Sequence, residues 1–137
     1  MKLIGFNLNK ISAEILSNKF EELKITNNIK IETIEQAKAD IFKKDEEALN
    51  IKFDYSLDYN PKIAQLMFSG SVLLLVSQKE SKEILKQWEE KKISSNIKLP
   101  LFNLILRKTS IKAIELEDEL NLPLHVNLPS LKPDKKE

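Results

Sequence analysis

Residues 49 to 59 read LNIKFDYSLDY, with Leu49, Ile51, Phe53, Tyr55, Leu57 and Tyr59 on the odd positions and Asn50, Lys52, Asp54, Ser56 and Asp58 on the even ones. A period of two sustained over this length defines a strand buried on one face and wet on the other. The chain that follows, YNPK at 59 to 62, turns it back, because Pro61 fixes its own φ and pushes Asn60 out of the helical region. A hairpin is predicted, its second strand being IAQLMFSGSVLLLV. The even face of that strand carries Ala64, Leu66, Phe68, Gly70, Val72, Leu74 and Val76, and the odd face ends on Leu73 and Leu75. Both faces are apolar at that end, so something must cover the second one.

Upstream, Ile4, Phe6 and Leu8 alternate, then Ile11, Ala13 and Ile15, with a change of face at Asn9 and Lys10 that predicts a bulge or a bend. NIKIET alternates through Ile29, Ile31 and Thr33. Residues 36 to 47, QAKADIFKKDEE, fit neither period and are read as an irregular strand end plus a charged turn. After Val76 the period changes. Ser77 with Glu80 forms a capping-box pattern opening a helix whose apolar stripe is Ile84, Leu85 and Trp88. A second helical pattern places Pro100 in its first turn and spaces Phe102, Ile105, Thr109, Ala113, Leu116 and Leu120 by threes and fours, as one helix or two broken near Thr109 and Ser110. Four strands followed by helices predict an α+β fold: a four-stranded antiparallel meander with the helices on one face and an extended tail.

At 137 residues the chain suits a single domain, expected over 1–130, followed by a charged, flexible terminus at 131–137. Hydrophobic residues make up 42% and charged residues 31%, with no apolar run long enough to span a bilayer and no signal-peptide pattern, so a cytoplasmic location is expected. Without cysteine there is no disulfide, thiolate chemistry or cysteine-bound zinc. Lys+Arg of 22 against Asp+Glu of 21 leaves +1, and Arg107 is the single arginine, which argues against nucleic acid as a partner.

Chemistry has few residues to work with. His125 is the only histidine and reads as a polar residue of the tail surface; Gly5 and Gly70 cannot form a phosphate loop; and Glu115, Glu117, Asp118 and Glu119 read as the wet face of a helix. No catalytic residue, metal site or cofactor is expected, and the chain is read as a non-enzyme. Trp88, Phe53, Tyr55, Tyr59 and Phe68 could form a binding platform, but their spacing favours core positions.

The tail LNLPLHVNLP at 120 to 129 alternates Leu120, Leu122, Leu124, Val126 and Leu128 against polar residues and prolines. Pro123 and Pro129 lack the N–H that a central strand donates, so the segment is expected at a sheet edge or as an extended path packed on the body. The candidate polypeptide-binding residues are therefore Met67, Leu73 and Leu75 on the fourth strand, and Leu122, Leu124, Val126 and Leu128 on the tail.

The order of elements resembles that of the SecB family of export chaperones. NIKIETIEQ and LNIKFDYSLDY look like its second and third strands, FSGSVLLLV like its fourth, LPLFNLILRKT like its long helix, and LNLPLHVNLP like the Leu-Asn-Leu and proline that follow that helix. The family is markedly acidic and this chain is neutral, so an export motor is not implied. The resemblance implies the fold, dimers or dimers of dimers, and a style of client binding. The expected function is an ATP-independent, chaperone-like protein-binding module that holds unfolded or partner polypeptide and forms a homo-oligomer, dimer or tetramer. The alternative is an accessory subunit of a larger assembly, such as a ribosome-associated factor.

Overall fold

A computed structural model of the chain describes residues 1–19, 22–37 and 45–133. Strands β1 (Lys2–Ile15), β2 (Lys24–Ala37), β3 (Glu46–Asn60) and β4 (Ala64–Ser77) form one antiparallel sheet, followed by helices α1 (Gln78–Glu89) and α2 (Ser95–Glu119). The fold is α+β, as the order of periods predicts. The sheet order is β1-β4-β3-β2. Strands β2, β3 and β4 make the expected meander, while β1 crosses over to lie beside β4 instead of β2.

Every odd residue of β3 from Leu49 to Tyr59 is buried, as are Ala64, Leu66, Phe68, Gly70, Val72, Leu74 and Val76 of β4. These two central strands form the floor of the core. Tyr55 and Phe68 stack across the pair with ring centroids 5.7 Å apart, and Phe6 of β1 stacks on Phe53 at the same separation. The turn between β3 and β4 contains Pro61, as predicted.

The edge strands depart from simple alternation. Asn9 is an extra residue between the Leu8↔Gly70 and Lys10↔Ser69 pairs, which is the expected bulge. A second irregularity lies between Leu3 and Gly5, so Leu3 pairs with Leu74 and Ile4 is left exposed rather than sharing the face of Phe6. In β2 a shift between Ile31 and Thr33 sets Thr33 opposite Lys52, on the other face from Ile29 and Ile31, and returns Ile34 to the core. Strand β2 continues to Ala37 and β3 begins at Glu46, so Gln36, Ala37, Glu46 and Glu47 of the predicted irregular segment are strand; residues 38–44 lie outside the described ones.

Ser77 caps α1, its Oγ accepting from the Glu80 backbone N–H at 3.1 Å, and Ile84 is buried beneath the helix. Helix α2 is continuous and begins at Ser95, so Pro100 sits inside it rather than in the first turn. Pro100 is exposed and removes one helical donor on the solvent side. The buried stripe of α2 is Leu101, Ile105, Thr109, Ala113 and Glu117, spaced by fours, with Thr109 donating its hydroxyl hydrogen back to the Ile105 carbonyl at 2.9 Å.

The tail is not a strand. Leu120 ends α2, Asn121 adopts a left-handed backbone at φ 55°, and the Leu122 N–H donates to the Glu117 carbonyl at 2.8 Å while the Asn121 N–H donates to Asp118 at 3.3 Å. These two bonds define a Schellman stop, in which asparagine supplies the left-handed residue and the next apolar residue folds back onto the helix. Leu122 is accordingly part of the core. The charged terminus predicted at 131–137 is exposed as far as Pro133, and 134–137 lie outside the described residues.

Candidate functional site

Past the helix stop, a buried polar cluster holds the tail. Glu117 faces the core from the last turn of α2 with 0% of its side chain exposed, and His125 with 4%. One carboxylate oxygen lies 2.8 Å from His125 Nδ1; the other accepts the His125 backbone N–H at 2.9 Å and a short hydrogen bond from the Tyr59 hydroxyl. The same hydroxyl lies 2.8 Å from the Pro123 carbonyl. One glutamate thus ties β3, α2 and the tail together. Both residues were expected on the surface. They are inside because each brings a partner that replaces water, the condition for burying ionisable groups.

His125 Nε2 lies 3.4 Å from Ser110 Oγ, which completes a serine–histidine–glutamate line. Ser110 stands in the middle of α2, where the neighbouring backbone N–H groups are committed to the helix ladder and supply no oxyanion donor. The line positions the imidazole. Burial and Glu117 raise the nearby phenols: Tyr59 is pushed up by burial and by its bond to Glu117, and Tyr55 by burial and the Glu117 charge, to about 12.

The sequence-predicted binding residues separate into three environments. Leu122 is 5% exposed and consumed by the core, so it offers nothing to a partner. Leu124 and Val126 are half-buried beside the cluster, and Leu128 is 54% exposed. Met67, Leu73 and Leu75 lie on the sheet face opposite the helices, with Met67 exposed and the two leucines half-buried. That face is otherwise polar: Ser69 donates to Asp54 at 2.6 Å and Gln65 to Asp58 at 3.0 Å, and the Ser69 bond holds the Asp54 carboxyl below its ordinary range. The structure does not gather these seven residues into one site.

A different surface was missed. Between β2 and the α1–α2 junction runs a groove of about 440 Å³, floored by Ile29, Ile31, Trp88, Ile93 and Phe102 and rimmed by Lys91, Lys92 and Lys98; Lys30, between the two isoleucines, alternates to the opposite sheet face. Trp88 and Phe102 are half-buried. Lys91 Nζ lies 5.0 Å from the Trp88 ring centroid and Lys98 Nζ 5.3 Å from that of Phe102, so two ammonium groups lean over the aromatic floor. The stripe of α1 already pointed to Trp88. Its companions come from three separate elements, so no contiguous pattern announces them.

Among the described residues no cluster of acidic and histidine side chains suits a metal ion, and no helix is long and apolar enough to cross a membrane. No protein-family model and no curated protein sequence matches the chain. Its fold is similar to that of a SecB-like chaperone from Mycobacterium tuberculosis, solved in complex with a ChAD peptide from the HigA1 antitoxin. The TM-score is 0.51 at 13% identity, over 97% of this chain and 92% of that one. The chain therefore has a SecB-like fold.

Proposed function

We propose that the chain is a non-catalytic, ATP-independent chaperone-like module of the cytoplasm that holds unfolded or partner polypeptide on apolar surface. The observation that carries this reading is the aromatic and aliphatic groove between β2 and the helix junction, a concave apolar surface on a SecB-like fold. Further apolar surface lies along β1, where Ile4, Ile11 and Ile15 are exposed, and on β4 at Met67. A second copy covering the β1 edge would give the homo-oligomer. Leu73, Leu75 and Met67, with Leu124, Val126 and Leu128, serve as subsidiary contacts.

Calorimetric titration with a reduced, permanently unfolded polypeptide, without ATP, tests the proposal. Binding should suppress aggregation of the client and persist at high salt, since screening removes attraction between exposed charges and leaves apolar contact intact. Polar replacement of Leu73 or Leu75 should weaken it without unfolding the subunit. Absence of binding at tens of micromolar protein, together with capture of one folded stoichiometric partner, would leave the accessory-subunit reading instead.

A further inference from the structure

The geometry points to an acidic, extended peptide with apolar anchors as the occupant of the groove between β2 and the α1–α2 junction, an inference that rests on the polypeptide-binding reading above. The chain as a whole is nearly neutral at +1, yet three lysines, Lys91, Lys92 and Lys98, converge on this rim, while Lys30 alternates to the other sheet face, across from Asp54. Lys30 is tied to Glu32 at 3.5 Å. Lys91, Lys92 and Lys98 have no ion pair among the described residues; Glu89 and Glu90, next to them in sequence, do not close on them. Three unneutralised ammonium groups over an apolar floor are complementary to carboxylates that flank an aromatic or aliphatic side chain.

The shape favours an extended chain over a flat anionic surface. Strand β2 is the outermost strand on its side of the sheet, so its outer edge, unpaired among the described residues, presents backbone donors and acceptors beside the groove. A segment lying along that edge sends alternate side chains to opposite sides. Apolar residues can then drop between Trp88 and Phe102 while the intervening acids meet Lys91, Lys92 and Lys98.

Trp88 is the only tryptophan and serves as the probe. Peptides lacking tryptophan, with identical Leu and Phe spacing but Glu, Ser or Lys at the intervening positions, are titrated against the full chain. The Glu peptide should bind about tenfold tighter than the Lys peptide at low salt, with the gap closing at high salt. The variant carrying Lys91→Glu, Lys92→Glu and Lys98→Glu should reverse the order among the three peptides; a Lys→Gln version, expected to abolish the preference, serves should the reversed charges disturb folding. Equal affinity for the three peptides, with the unfolded polypeptide still bound, overturns this inference and spares the function. Failure to bind any polypeptide overturns both. A Trp88 response to anionic phospholipid vesicles but not to the Glu peptide would assign the groove to a lipid surface and overturn it as well.

Discussion

The Glu117 carboxylate and the His125 imidazole meet at 2.8 Å in a site closed to solvent, eight residues apart in sequence and joined by the helix stop between them. Removing one partner leaves the other buried and unpaired, and orphans the Tyr59 hydroxyl or the tail backbone. Glu117→Ala and His125→Ala should each cost about 3 to 5 kcal/mol in urea unfolding. The pair Glu117→Leu with His125→Leu should cost less than the sum of the single changes, since it removes both buried polar partners together.

Tyr55 and Tyr59 are the only tyrosines, and both are held protonated above the ordinary phenol range. A raised folded-state pKa contributes stability that is complete below the unfolded phenol's value of about 10 and is lost as pH climbs through the folded one. The native protein should therefore show no tyrosinate absorbance near pH 10. Denaturation midpoints should fall from there upward, Tyr55 contributing up to about pH 12.

A β-carbon on Gly70 would lie 2.1 Å from the Asn7 carbonyl oxygen in the neighbouring strand, a backbone atom that cannot swing aside. Gly70→Ala should cost about 3 kcal/mol or more and loosen the pairing of β1. Gly5→Ala meets only the Leu73 side chain, at 3.3 Å, and should cost under about 1 kcal/mol. Thermal melting of the two variants gives the comparison.

Along the tail, stability effects should be graded by burial. Leu122→Ala should cost about 2 to 5 kcal/mol as a core truncation, and Leu128→Ala less than about 0.5 kcal/mol. Leu124→Asp, at a half-buried position, should lower the melting temperature by placing a carboxylate against the packed tail.

The central strands were legible because their alternation is local and strict: each odd residue from Leu49 to Tyr59 is buried. The place of β1 was not, since the pairing of Phe6 with Val72 depends on a partner far along the chain. Leu122 was read as part of an extended alternating row because a Schellman stop and an extended segment both set an apolar residue two positions after Leu120. The asparagine between them was the available signal for the stop. Glu117 also carried a readable signal: it continues the fourfold spacing of Leu101, Ile105, Thr109 and Ala113, which places it on the core face. Its burial remained illegible until Tyr59 and His125 were brought to it.

The strand order also bears on how the sheet is assembled. Tyr59 finds Ala64 across a short turn, whereas β1 must bring Lys2 beside Leu75, so the entropy of closing that long loop falls on a single pairing interrupted by two irregularities. Strand β1 is thus expected to dock late and to open early, and its inward-facing amides should exchange with deuterium ahead of those of β3. The flank of β4 is the surface whose exposure is set by that breathing motion.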